Sequence, residues 1–292
     1  MSLVLTLLYV PADRPDRAVK ALASSADVVI LDLEDAVAPS AKDTARSAVE
    51  PVLAGVDGRD VQVRVNAPST PWGVADLELL AGLPPSVSVR VPKVSSPDDV
   101  ASVRSVAGDR PVHVLLETAA GVEAAYAIAS APGVASIGLG EADLASDLGL
   151  SGPGVSEGLD WCRQRLVVAA RAAGLPAPAM AVWTDLADGA GLAASCVRGR
   201  GLGFVGRAAI HPRQLPVIEA AFRPSAAEIA AATEVVEAMD AATAAGSGTA
   251  VLPGGRFVDV AMVEQARRVL ELAARTTPVA APTPTAPTPT RS

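Results

Sequence analysis

Aromatic side chains are scarce in this chain: three Phe, three Trp and two Tyr make up 3% of 292 residues. A core without large rings must be assembled from Ala, Val and Leu. Only two cysteines occur, Cys162 and Cys196, which excludes a disulfide-dense scaffold, and neither has a partner at metal-ligand spacing. The only histidines, His113 and His211, have no Ser or Cys partner in a triad order, and neither a GxSxG elbow nor a P-loop is present. His113 alternates within an apolar run and reads as an interior histidine. No apolar run reaches membrane-spanning length. Positive charge is in deficit, 24 Lys and Arg against 32 Asp and Glu, and the net charge of −8 argues against a nucleic-acid surface. The apolar N-terminal stretch lacks a basic n-region and a small-residue cleavage site, so it reads as a first strand and not a signal peptide. The expected setting is the cytoplasm.

What is present is a repetition. Five short apolar runs each lead into charged residues: Val28–Asp35, Val61–Asn66, Val87–Lys93, Val112–Thr118 and Ala135–Asp143. Each is rich in β-branched residues and bounded by turn or helix signals, as buried strands are. A buried charge is costly unless it is paired or binds a metal. Charges at the same end of successive strands predict a shared mouth where the carboxyl ends converge.

Strands and helices alternate along the chain. Strands are expected at Leu3–Val10, Val28–Glu34, Val61–Asn66, Val87–Val94, Val112–Glu117, Val134–Leu139, Ala179–Trp183 and Phe204–Ile210. A helix follows most of them, the first from Pro15 with Asp13 as its cap. Eight strands in this alternation predict an α/β fold, a TIM (β/α)8 barrel with extra C-terminal helices; a doubly wound open sheet is the competitor. The barrel is expected over residues 1–223, a helical lid extension over 224–275 and a disordered Pro/Thr tail over 276–292. The extension is too short to expect a core of its own, so it is expected to pack on the barrel or on a neighbouring subunit. Gly201–Gly206 matches GxGxxG but runs from helix to strand, the reverse of the dinucleotide-binding order, and reads as a turn.

Glu117 and Asp143 end the fifth and sixth strands. Two carboxylates on adjacent strands suit a hard ion such as Mg2+, and the lack of a His or Cys cluster disfavours Zn2+; a pair of capping or salt-bridged acids is the alternative. Glu141 is a spare acid. Asp32, Glu34 and Asp35 crowd the end of the second strand, Asp32 and Glu34 on one face, and need a cation among them. Arg64 is the natural candidate, in a substrate site or in a purely structural ion-pair network. Lys93 either joins that network or binds substrate.

Taken in order, YVPADRPDR (Tyr9–Arg17), VILDLEDAVAPSAKDTAR (Val29–Arg46), VRVNAPSTPWGVADL (Val63–Leu77), VPKVSS (Val91–Ser96), LLETAAGV (Leu115–Val122), GLGEADLASDLG (Gly138–Gly149), VWTDLAD (Val182–Asp188) and GFVGRAAIHPRQ (Gly203–Gln214) resemble the citrate lyase β-subunit-like family of the HpcH/HpaI aldolase superfamily. The resemblance implies a modified TIM barrel that cleaves or forms a carbon–carbon bond in acyl thioesters such as citryl-, citramalyl- or malyl-CoA, with Mg2+. It implies Glu117 and Asp143 as metal ligands and Arg64 as the residue holding the substrate's carboxylate or carbonyl oxygen. Glu34 and Asp35 become partners of the metal's waters, and Arg14 a contact to the CoA or acyl-carrier arm. Asp259 resembles a C-terminal Asp that acts in the neighbouring subunit's site, within a homotrimer or hexamer.

The chain departs from the family pattern at Ala261, Arg207 and Val205, where Pro, Lys and Asp are usual. The chemistry implied is a retro-Claisen or retro-aldol cleavage, in which Asp259 could exchange a proton at the thioester α-carbon. A Schiff base on Lys93 is not needed to explain the acidic mouth. A thioesterase, a citrate lyase β subunit active only with an acyl-carrier partner, and a non-catalytic binding protein remain as alternatives.

Overall fold

Seven strands lie parallel in one sheet: β1 (Thr6–Pro11), β2 (Val28–Asp32), β3 (Asp60–Arg64), β4 (Ser88–Val91), β5 (Val112–Leu116), β6 (Val134–Leu139) and β7 (Arg207–Ala209). The structure is a computed structural model and describes residues 3–275. These residues form two compact units, residues 4–221 in one and Leu3 with residues 222–275 in the other. The sheet runs β6-β5-β4-β3-β2-β1-β7. Every residue of β2 and β4 is buried, as parallel strands covered on both faces must be. Their packing is aliphatic: Val29, Ile30, Val63, Val89, Val91, Val114 and Leu116 are fully buried.

The expected barrel is not closed. The predicted strand at Ala179–Trp183 contracts to a single parallel bridge from Met180 to Arg207, and the predicted strand at Phe204–Ile210 contracts to β7. Among the described residues no ladder joins the Met180 segment to β6. Two local causes are visible. Pro176 and Pro178 supply no N–H to a ladder. Gly203 and Gly206 take φ of 99° and 81°, which interrupts extended backbone until Arg207. Gly206 is also pressed against β1: a Cβ there would stand 2.6 Å from the Leu5 carbonyl oxygen. The GxGxxG match is thus a helix stop and a turn.

Helices follow the expected positions with shifted ends, and two departures bear on the site. The helix Pro15–Leu22 has Arg14 at its cap position, without a side-chain cap, and Asp13 does not take that role. Beyond β6 a helix that the sequence did not suggest spans Glu141–Asp147, so Asp143 sits in a first helical turn and not on a strand.

In residues 222–275, the helices Ala226–Ala244 and Val260–Ala274 accompany a hairpin of β8 (Ala250–Val251) and β9 (Phe257–Val258). Contrary to expectation this segment has an apolar cluster of its own, formed by Val235, Met239, Leu252, Val258, Val263 and neighbours. The predicted Pro/Thr tail lies outside the described residues.

Candidate active site

Register places the charges. Asp32 at the end of β2 lies directly opposite Arg64 at the end of β3. Arg64 Nε donates to Asp32 Oδ1 at 2.7 Å and Nη2 to Oδ2 at 2.6 Å, a bidentate pair. The same carboxylate accepts the backbone N–H groups of Glu34 and Ala36 at 2.9 and 3.1 Å, so Asp32 shapes the loop as well as the guanidinium. Arg64 Nη1 donates to Asp35 at 3.1 Å and makes an ion-pair contact of 2.8 Å with Glu34 Oε2 that lacks hydrogen-bond alignment. Tyr9 lies under the guanidinium, 5.0 Å from ring centroid to Cζ. Burial lowers the Arg64 pKa, but the hydrogen bonds and charge of Asp32 outweigh it and the guanidinium stays charged.

A second cluster adjoins the first through Glu34. Lys93 Nζ donates to Asp143 Oδ2 at 3.1 Å and to Glu34 Oε1 at 3.3 Å, and lies 3.9 Å from Glu117 Oε2. Glu117 follows β5 directly, is only 3% exposed, and its Oε2 has no hydrogen-bond partner. Burial, reinforced by the negative charges of Glu34 and Asp143, pushes its carboxyl up to about 8 despite the nearby Lys93. Burial likewise raises Glu34. For Lys93 burial works downward, but the Asp143 hydrogen bond and the charges of Glu34, Glu117 and Asp143 prevail and raise it.

Glu117 has room for this because of Gly140. Leu116 pairs with Leu139, and Gly140 N–H donates to the Leu116 carbonyl at 3.1 Å. A Cβ on Gly140 would stand 2.3 Å from Glu117 Oε1. The bulkless position is part of the site, and no motif reading singled it out. Lys42 was also missed. Its ammonium is buried and donates to the carbonyls of Leu33 and Glu34, each at 2.7 Å. Asn66 adds a bond to the Leu33 carbonyl at 2.9 Å and is itself fixed by Asp76 at 2.6 Å. The acidic loop after β2 is thus pinned from beneath by side chains of two neighbouring elements.

Among the described residues no group of three or more His, Cys, Asp or Glu is gathered to hold a metal by itself. Two carboxylates, Glu117 with a buried unpartnered oxygen and half-exposed Asp143, suit a hard cation that retains several waters. They do not suit a tetrahedral nitrogen–sulfur site.

The remaining sequence candidates stand elsewhere. Glu141 is taken by Arg163, with bonds of 2.8 and 2.6 Å, and is a structural acid. Arg14 is exposed and pairs with Asp16 at 3.2 Å. Asp259 belongs to the 222–275 unit, where its carboxylate caps the last helix by accepting the Met262 N–H at 3.1 Å. Arg207 is buried, donates to the Ala181 carbonyl at 2.8 Å and stacks on Trp183 at 5.6 Å. His113 is satisfied by Ser136 at 2.8 Å. Next to the end of β1, a cavity of about 360 Å³ is lined by Tyr9, Pro11, Arg17, Lys20, Ile210 and His211.

Comparison with known proteins agrees on kinship. The HpcH/HpaI aldolase/citrate lyase family model matches residues 5–212. A (3S)-malyl-CoA thioesterase of Cereibacter sphaeroides is 37% identical over 271 residues, covering 91% of this chain and 93% of the relative. An L-malyl-CoA/β-methylmalyl-CoA lyase of the same species is 34% identical over 298 residues with the same coverage. A structure of CitE from Mycobacterium tuberculosis in complex with magnesium, acetoacetate and coenzyme A superimposes with a TM-score of 0.78 at 34% identity, covering 93% of this chain and 98% of that one.

Proposed function

Because the chain belongs to the HpcH/HpaI aldolase/citrate lyase family, a family of carbon–carbon lyases, we propose that it cleaves a 3-hydroxy-acid acyl-CoA thioester of the malyl-CoA type in a Mg2+-dependent retro-aldol (retro-Claisen-type) step. Citramalyl- and citryl-CoA belong to the same substrate class. The observation that carries this reading is the convergence of Glu34, Arg64, Lys93, Glu117 and Asp143 at the carboxyl ends of β2 to β6, with one oxygen of Glu117 buried and unpartnered. Support comes also from the neighbour crystallised with magnesium and coenzyme A, and from the malyl-CoA relatives.

Glu117 and Asp143 would hold the ion. Bound there, Mg2+ supplies Lewis acidity for the oxygen that gains charge. Glu34 and Asp35 would orient its waters. Arg64 contributes a fixed positive charge where the substrate's oxyanion or carboxylate sits, and Asp32 keeps that charge from reorienting as the bond breaks. In the cleavage the 3-hydroxyl passes its proton to a carboxylate of the mouth, the C2–C3 bond breaks to give a carbonyl product, and the electron pair remains on the thioester as an enolate. Protonation at the α-carbon completes the reaction. We assign that proton exchange to Asp259 acting in a neighbouring subunit of a homotrimer or hexamer. Arg14, together with Arg17 and Lys20 of the cavity beside β1, would meet the phosphates of the CoA arm. A cytoplasmic setting is part of the same proposal. No helix among the described residues is long and apolar enough to cross a membrane.

The 37% identical thioesterase supports a second reading, hydrolysis of malyl-CoA at the same centre. Product analysis separates the two. Purified protein is incubated with Mg2+ and malyl-, citramalyl- or citryl-CoA while keto acid and free CoA are followed separately. Metal-dependent keto acid without CoA release is expected for the lyase. Free CoA alone would establish the hydrolase, and silence with every ester would favour a subunit dependent on an acyl-carrier protein.

A further inference from the structure

Lys93 is the only described residue other than glycine with a left-handed backbone, at φ 56°. A residue with a Cβ pays sterically for that conformation, which glycine adopts freely. The backbone turn after Pro92 brings the Lys93 ammonium among Asp143, Glu34 and Glu117 at 3.1, 3.3 and 3.9 Å. Glu34 and Glu117 follow β2 and β5, and Asp143 lies in the first turn of the helix after β6. With Asp32 and Asp35 the mouth holds five carboxylates; of the nearby cations Arg64 is engaged by Asp32, and Lys42 is held beneath the loop by the Leu33 and Glu34 carbonyls. Lys93 is therefore the cation nearest the proposed metal ligands, and at 3.9 Å it leaves Glu117 Oε2 without a hydrogen bond.

We propose that Lys93 is a built-in counter-cation that competes with Mg2+ for Glu117 and Asp143, so that metal entry and departure of the Lys93 ammonium are one exchange. The inference rests on the reading of these two acids as metal ligands. An ammonium carries one charge and is content at hydrogen-bond distance, whereas Mg2+ needs its oxygens at about 2.0–2.1 Å and carries two charges. The two cations repel when both stand within a few ångströms of the same carboxylates. The exchange also releases an amine on a half-exposed stem, which can then meet a substrate carboxylate. Lys93 in this account is a positioning residue that sets metal affinity and keeps the acids together before the metal arrives.

The test uses the full chain and Mg2+ alone. Lys93→Asn removes the charge while suiting left-handed backbone, because Asn adopts it more readily than most residues; Lys93→Arg retains the charge. Calorimetric titration is expected to show Mg2+ binding about tenfold tighter in Lys93→Asn, on the strength of one removed like charge at close range, together with a lower melting temperature before metal is added. Lys93→Arg should remain near wild type in both. In the wild-type protein, acylation of Lys93 read by peptide mass should rise when Mg2+ saturates the site. Equal or weaker Mg2+ binding by Lys93→Asn overturns the proposal, as does labelling that ignores the metal; the labelling decides alone if the variant does not fold. Absence of Mg2+ binding in the wild type as well would instead overturn the metal site itself, and the inference with it.

Discussion

Asp32 grips Arg64 with both carboxylate oxygens, at 2.7 and 2.6 Å, and leaves only one nitrogen of the guanidinium to Glu34 and Asp35. The pair is almost fully buried, so it fixes the direction of the guanidinium, the charge that the proposed function sets against the substrate. Asp32→Asn should reduce kcat/KM by about a hundredfold through misplacement of Arg64. It should also destabilise the fold by about 3 kcal/mol, since a buried charge loses its partner. Steady-state kinetics and urea unfolding measure the two separately; a variant with unaltered kcat/KM would remove Asp32 from the site.

Gly140→Ala should weaken Mg2+ binding while leaving the protein folded. The new methyl group would meet Glu117 Oε1 at 2.3 Å, so the carboxylate must swing away. Calorimetry should show a loss of about tenfold or more, in line with other disturbances of a ligand's surroundings. An unaltered dissociation constant would show that Glu117 does not hold the ion.

Metal affinity should rise with pH. Burial holds the Glu117 carboxyl at about 8, so a proton must leave before the oxygen can ligate. Below pH 8 each unit of acidification should cost about tenfold in apparent affinity, with a plateau above. Glu117→Gln removes both binding and slope. The same shift has an opposite consequence for the fold without added metal. A carboxyl whose folded pKa exceeds its unfolded value of 4.5 lowers stability as pH rises from 4.5 to 8. Urea midpoints across that window should therefore fall less steeply in Glu117→Gln than in wild type.

His113 should contribute acid sensitivity. Burial, aided by the positive charge of Arg90, depresses its pKa from 6.5 to about 3. The unfolded chain then binds the proton first, so stability present above pH 6.5 is lost progressively as pH falls toward 3. His113→Gln should flatten that part of the stability curve relative to wild type. Parallel curves for the two proteins would show that the imidazole does not titrate with unfolding.

Much of the site is legible in the sequence. The runs ending at Asp32, Arg64, Val91 and Leu116 are short and rich in valine, one continuous and the others alternating, so composition and boundary mark them as buried strands. Their charged termini announced the mouth. Reading failed where tertiary contacts overrule local pattern. Lys42 opens a helix, where a lysine normally faces water, and only the folded loop supplies the carbonyls that bury it. Gly140 looks like an ordinary turn glycine until Glu117 is placed beside it. The sequence puts Asp143 at a strand end, because the helix Glu141–Asp147 has no side-chain cap to announce it. The last two strands of the expected barrel lost most of their pairing to prolines and positive-φ glycines.

The missing ladder between β6 and the Met180 segment leaves this curled sheet with a free edge. In a fully laddered barrel a change of girth requires hydrogen bonds to break around the hoop. Here, among the described residues, no such bonds span the gap next to β6, the strand that leads into the helix carrying Asp143. The Asp32–Arg64 clamp lies on β2 and β3, farther along the sheet from that gap.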